Sequence, residues 1–232
     1  MMKKTDLWDA LNSEIVECRT CSRLVDWRER VAREKRRTFK EEDYWGKPVP
    51  GFGDPNAQIL ILGLAPGAHG SNRTGRMFTG DASGDFLFPS LFQSGFAAQA
   101  EATSANDGLK LKNAFITAVC RCAPPANKPT RMEQINCRGY LLRELALLRN
   151  VGGIIALGGI AFNNAFDIIK YLYKISATRR PKFGHGKFYT WHASPIWLLA
   201  SYHPSRQNTQ TGRLTKEMFS MIWSRANQLI GK

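Results

Sequence analysis

Four apolar runs with almost no polar interruption punctuate the chain: QILILGLAP (residues 58–66), AFITAVC (114–120), GGIIALGG (152–159) and IWLLASYHP (196–204). Continuous apolar character, as opposed to strict alternation, marks strands covered on both faces. Between these runs the apolar positions recur at helical spacing. Ser83 precedes Phe86, Leu87, Leu91 and Phe92, and Thr130 opens a Thr-x-x-Glu capping box with Glu133 ahead of Tyr140, Leu141, Leu145 and Leu148. Residues 160–173 and 215–230 repeat the helical pattern. Alternating strands and helices predict an α/β sandwich around a mostly parallel, four-stranded sheet. Such sheets bind ligands beyond the carboxyl ends of their strands, so the loops after Leu64, Val119, Leu157 and Tyr202 are where chemistry is expected.

Upstream of the first run the pattern changes. Thr5 is placed to cap a helix that aligns Leu7, Trp8, Leu11 and Ile15 and runs into the pair Cys18-x-x-Cys21. RERVAREKRR (28–37) reads as a solvated basic helix. WGKPVPGFGDPNA (45–57), dense in turn formers, reads as a hinge between an N-terminal arm (residues 1–50) and an α/β body (51–232) within a single domain. No internal repeat or low-complexity tract interrupts the chain.

Charge sharpens the picture. Lys and Arg number 33 against 19 Asp and Glu, a net of +14 over 232 residues. That excess points to nucleic acid, with an anionic membrane surface as the rival. No apolar run reaches the ~18 residues that would span a bilayer, and the first nine residues do not read as a signal peptide. The expectation is a cytoplasmic, nucleoid-associated protein with no membrane partner, monomeric by default. Five cysteines, an odd number without an export signal, argue against a secreted disulfide framework.

Three loops carry candidate chemistry. GLAPGAHGSNRTG follows the first strand but contains neither GxxxxGK[ST] nor GxGxxG, which argues against a nucleotide-triphosphate site; Gly63, Gly67 and Gly70 instead permit close backbone approach. The loop CRCAPPANKPT brings Cys122, with Cys137 15 residues on in the capped helix. Joined to Cys18 and Cys21, these would make a four-thiolate site suited to zinc or an iron–sulfur cluster alike. The plain alternative is a set of ordinary buried thiols, and Cys120 is taken as the spare. The loop SYHPSRQNTQTGR joins His203 to Arg206, Gln207, Asn208 and Arg213. A glycine-framed acid, Asp81 in RTGRMFTGDASGDFLF, either caps the following helix or presents a carboxylate to a substrate.

Taken together, CRTCSRLVDWRE, YWGKPVPGFGDP, GLAPGAHGSNRTGRMFTGDASG, RCAPPANKPT, ALGGIA and ASYHPSRQNTQTGRLT resemble the family 5 branch of the uracil-DNA glycosylases, from Cys18 nearly to the C-terminus. The resemblance implies a three-layer α/β/α fold and a [4Fe–4S] cluster held by Cys18, Cys21, Cys122 and Cys137. Other branches place a polar residue directly after the first glycine of the opening motif, and related ones keep an asparagine in the second strand. This chain has Leu64 and Ala118 there, as the family 5 branch does, which implies a pocket less strictly fitted to uracil.

On that reading the enzyme hydrolyses the N-glycosidic bond of uracil in DNA, and of other deaminated bases such as hypoxanthine, after flipping the base from the stack. Asp81 orients the attacking water and faces the sugar; Asp85 is the rival acid but falls within the helix. His203 donates to the leaving base, and Asn127 binds the base edge or the water. Substrate contacts are placed at Gly63, Ala65, Gly67 and Phe78, with Phe78 stacking on the base unless it is ordinary core. Arg206 and Gln207 enter the minor groove, while Arg73, Lys128, Arg213 and RRPKFGHGK (179–187) bind phosphates. His69, His185 and His192 are left as loop or structural histidines, with His69, by its motif, the first exception to consider. The alternative is a non-catalytic DNA-binding module with a metal-held arm.

Overall fold

A computed structural model describes residues 4–176 and 179–231. The chain enters through α1 (Lys4–Glu17) and α2 (Ser22–Glu34), then β1 (Phe52–Gly53), β2 (Ile59–Gly63), α3 (Ser71–Thr74), α4 (Ala82–Gln93), β3 (Ala114–Ala118) and α5 (Arg131–Leu147). It closes with β4 (Gly153–Leu157), α6 (Gly159–Leu172), β5 (Phe188–Trp191), β6 (Ser194–Ser201), α7 (Arg206–Gln210) and α8 (Lys216–Leu229). All four predicted apolar runs are strands, and they form the parallel centre of the sheet in the order β3-β2-β4-β6.

The sheet has six strands, not four. Antiparallel β1 and β5 flank the parallel centre. Both escaped the hydrophobic pattern because β1 is two residues long and β5, FYTW, is an edge strand with no buried residue. Successive side chains of β2 serve opposite layers. Ile59 and Ile61 pack with Leu87, Phe88 and Leu91 of α4 and Phe219, Ile222 and Trp223 of α8. Leu60 and Leu62 pack with Leu141 and Leu145 of α5 and Phe162, Phe166 and Ile169 of α6. The result is the expected three-layer arrangement.

Helix starts follow local chemistry. Thr130 and Glu133 make the reciprocal capping box, and Thr215 accepts from Met218 N–H at the start of α8. The cap of α4 is Asp81, one residue outside the helix, whereas Ser83 lies inside it. Thr5 lies within α1 and is not its cap.

The arm is bound tightly to the body. Leu11 and Ile15 of α1 are fully buried, Trp8 stacks on Phe115 at 5.1 Å, and Arg143 of α5 pairs with Glu14. Arg23 of α2 donates to both oxygens of Glu133, at 2.8 and 2.7 Å. The basic helix is therefore only partly solvated, and Arg28 is 2% exposed. Segment 45–57 is not a free hinge: Trp45, Gly46 and Val49 donate backbone hydrogen bonds to the carbonyls of Arg73, Asn72 and Arg121.

One buried ion pair ties the sheet to α5. Arg121 donates to Glu144 at 2.6 Å and also to Thr117, whose hydroxyl donates to the same Glu144 oxygen at 2.8 Å. Both charged side chains are essentially inaccessible. Breaking such a pair strands a buried charge, whereas the intact pair contributes little beyond its desolvation cost. Glu144→Ala is therefore expected to lower unfolding stability by about 3–5 kcal/mol, read as a shifted urea midpoint at unchanged slope.

Candidate active site

The chain runs from β2 outward to β3 on one side, then crosses to β4 and β6 on the other. The carboxyl ends of β2 and β4 thus border the point where strand order reverses, the usual place for a ligand crevice in such sheets. Gly63 ends β2 and Gly158 follows β4 with φ +100°. His203 follows β6, and its Cβ would lie 3.5 Å from a Cβ built on Gly158. Its ring leans toward the ring of Phe78, with centroids 5.8 Å apart. A Cβ on Gly63 would fall 2.8 Å from the tip of Phe78. Phe78 is therefore the floor that joins the ends of β2 and β6.

Phe78 is both core and candidate base platform. It is 8% exposed and packs among the buried residues of one layer. Its backbone has φ +55°, a left-handed conformation that is costly for a bulky residue. Gly84 makes the turn possible, since a Cβ there would collide with the Phe78 carbonyl.

Three residues on, the two oxygens of Asp81 do different work. Oδ1 accepts from Ser83 N–H at 2.9 Å and Gly84 N–H at 3.2 Å, capping α4. Oδ2 points the other way, into the loop after β2. A Cβ on Gly67 would lie 2.8 Å from it, and one on Gly70 would overlap it. The two readings of Asp81 posed by the sequence are thus compatible: it is a cap and a presented carboxylate. Burial pushes its carboxyl above the usual range, opposed by the N–H groups of Ser83 and Gly84. Asp85 is exposed on the first turn of α4. The glycines of the loop make room for the protein's own Phe78 and Asp81, which is the physical need behind Gly63, Gly67 and Gly70.

Among the described residues no protein group hydrogen-bonds to the His203 ring. Burial lowers its pKa to about 4, so the imidazole is neutral at pH 7 with one N–H to donate. Its backbone carbonyl accepts from Asn208 Nδ2 at 2.8 Å. Asn127 lies beyond β3 on an exposed turn, where it and Ala126 both take left-handed backbones; its side chain has no hydrogen-bond partner among the described residues. Ala65 is half-buried in the loop after β2, packed toward the α5–α6 layer. Arg206 and Gln207 are the exposed first two residues of α7, capped by Ser205.

One expected phosphate contact changes. Arg73 is not free for phosphate: it is 8% exposed and bonded to Glu42, the His69 carbonyl and the Gly80 carbonyl. Arg180 in the basic stretch pairs with Asp167, and Arg213 lies over the ring of Tyr202. His69 Nδ1 meets the Tyr44 hydroxyl at 3.0 Å. His185 Nδ1 accepts from Tyr202 N–H at 3.2 Å, and Nε2 meets the Met218 carbonyl at 3.2 Å. Two surface hollows, one lined by Phe52, Asp54 and Leu109 and one by Leu142, Arg149 and Tyr173, include none of Phe78, Asp81 and His203.

All five cysteines are free thiols. Cys18, Cys21 and Cys122 each feel the charge of Cys137, and Cys120 shares a hydrogen bond with it. Donors surround them: Arg28 to Cys122 at 3.3 Å, Asn136 to Cys21 at 3.4 Å, and Tyr140 to Cys18. Arg28 Nε is buried without a partner. Among the described residues no three His, Cys, Asp or Glu side chains are drawn around one point as a single ion requires.

Residues 50–227 match the uracil DNA glycosylase superfamily. The chain belongs to that superfamily. Within it, the chain is 49% identical over 223 residues to a type-5 uracil-DNA glycosylase of Thermus thermophilus, covering 96% of this chain and 98% of the relative. It is 48% identical over 222 residues to the type-5 enzyme of Mycobacterium leprae, covering 95% of each. A type-4 enzyme of Archaeoglobus fulgidus is more distant, 33% identical over 162 residues, 68% of this chain and 70% of the relative.

Two measurements probe the geometry. Asp81→Ala removes the cap and is expected to cost about 1 kcal/mol, while Asp81→Asn retains a capping oxygen and should unfold close to wild type. A folded-state pKa of about 4 against an ordinary 6.5 makes the His203 contribution to stability complete above pH 6.5 and progressively lost toward pH 4. Replacing His203 by Asn is expected to flatten that acid slope in urea titrations from pH 7 to 4.

Proposed function

We propose that this chain removes uracil, and other deaminated bases such as hypoxanthine, from DNA by hydrolysing the N-glycosidic bond and leaving an abasic site. Its membership of the superfamily and its type-5 relatives make it a uracil-DNA glycosylase, a hydrolase of N-glycosyl bonds. The observation that carries this reading is that Asp81 Oδ2 faces the loop after β2, while the unpartnered ring of His203 leans on Phe78, whose tip meets the end of the same strand.

The extruded base lies against Phe78, its unstacking costing a few kcal/mol. As the bond to the sugar breaks, electron density moves onto the base carbonyl. The neutral His203 donates its N–H there, and one such aimed donor lowers the barrier by about 3 kcal/mol. Asp81 Oδ2 accepts from the attacking water and offsets positive charge on the sugar, while Oδ1 stays fixed by the cap. Asn127 binds the base edge or the water. Arg206 and Gln207 occupy the space that the base leaves, and the wide excess of positive charge holds the phosphates. The enzyme acts as a monomer in the cytoplasm.

A [4Fe–4S] cluster on Cys18, Cys21, Cys122 and Cys137 is part of the proposal. What supports it is that Cys18, Cys21 and Cys122 each lie near enough to Cys137 to feel its charge, that each of those three has a donor beside it, and that the buried Nε of Arg28 has no partner and would be satisfied by a cluster sulfide. Such a group supplies a covalent fastening of arm to body; hydrolysis uses none of its redox chemistry.

Asp81→Asn is expected to slow uracil release from a U·G duplex by about two orders of magnitude or more, scored as abasic sites in single turnover; an unaltered rate would move the role to another residue. Anaerobically purified protein should be brown with iron and labile sulfide, and Cys122→Ser should lose both while Cys120→Ser keeps them. Colourless, zinc-loaded wild type would overturn the cluster.

A further inference from the structure

Arg73 stands out among the groups that the mechanism does not use. Its guanidinium is buried, and each of its three nitrogens donates to a different segment. Nε donates to the His69 carbonyl at 2.8 Å, in the loop after β2 and directly before Gly70. Nη2 donates to the Gly80 carbonyl at 2.9 Å, directly before Asp81. Nη1 pairs with Glu42, and the guanidinium carbon lies 3.9 Å from the ring centroid of Phe39; both partners come from the arm. Gly80, at φ +75°, leaves room for this contact, since a Cβ there would sit 2.5 Å from Nη2.

One planar fork thus sets the gap between the two walls of the Asp81 cradle: Gly70 on one side and the Gly80–Asp81 turn on the other. We propose that Arg73 is a positioning residue for Asp81, and that the arm, through Glu42 and Phe39, completes the active site by fixing that fork. The inference rests on Asp81 being the acid that acts on water. Two charged groups face Asp81: Arg73 from α3, which favours the carboxylate, and Asp85 from α4, which opposes it. Phe78 and His203 add no charge at neutral pH. Loss of Arg73 would therefore both misplace the carboxylate and make it easier to protonate.

Lysine keeps the charge but cannot span three acceptors from one ammonium. Single-turnover release of uracil is measured from pH 4.5 to 9 for wild type, Arg73→Met, Arg73→Lys, Glu42→Gln and Asp81→Asn, with duplex affinity followed separately. Arg73→Met is expected to lower the plateau rate about tenfold or more at nearly unchanged duplex affinity, and to move the acid limb upward by about half a pH unit. Arg73→Lys should share the lowered plateau while keeping the acid limb within about 0.2 unit of wild type, because its charge is retained. Glu42→Gln, which leaves both carbonyl ties in place, should fall between wild type and Arg73→Met. If Arg73→Met fails to fold, the Lys and Gln variants decide. Full plateau rates in both, or in a folded Arg73→Met, overturn the proposal; so does a loss confined to duplex affinity. Asp81→Asn separates the two levels: its retained activity sinks the role of Asp81 itself, whereas an inactive Asp81→Asn beside fully active Arg73 variants sinks only the positioning role.

Discussion

The division of labour between the two oxygens of Asp81 is the constraint around which the site is organised. One oxygen is held by two backbone N–H groups at the start of α4, which sets the orientation of the carboxylate. The other is forced toward the loop after β2, which can receive it only because Gly67 and Gly70 lack side chains. A helix terminus favours the charged form through its dipole, and burial disfavours it; the balance tips toward burial. The water-activating role proposed for Asp81 needs a fixed, poorly hydrated carboxylate, and an ordinary helix start supplies one.

The arm supports this arrangement from behind. Its helices are anchored by buried leucine and isoleucine, by Arg23 on Glu133 and by Arg28 among the thiols. From there the arm reaches forward, since the Arg28 carbonyl accepts from Asn72 Nδ2 at 3.2 Å while Asn72 N–H donates to the Gly67 carbonyl at 3.0 Å. Arm, α3 and glycine loop form one hydrogen-bonded block. A large net positive charge would push such segments apart, and the buried acids Glu133 and Glu144 answer it where cations come indoors.

The parallel centre of the sheet was legible because residues covered on both sides leave uninterrupted apolar runs, and the capped helices because Thr130 and Thr215 announce themselves. The edge strands were not: FYTW alternates weakly and sits beside basic residues that drew attention as phosphate ligands. At the proposed site, His203 was singled out by its place after a strand, and Asp81 and Phe78 by the glycine-framed segment that carries them. The bonding of Arg73 was invisible, because an arginine in a glycine-rich, basic segment looks like a phosphate contact until its partners, Glu42 and two carbonyls of different turns, are seen. The same holds for Arg28, which a helical pattern had placed in water.

His185 carries a consequence at some distance from the substrate. Its Nδ1 receives the Tyr202 N–H and its Nε2 faces the Met218 carbonyl, so the ring is fixed as one neutral tautomer. Burial lowers its pKa, as that bonding pattern needs. Acidification strong enough to place a second proton on the ring would turn the acceptor into a donor facing another donor. The backbone root from which His203 springs would then lose its anchor to the last helix. Tolerance of acid in this fold accordingly draws on a structural imidazole as well as on His203.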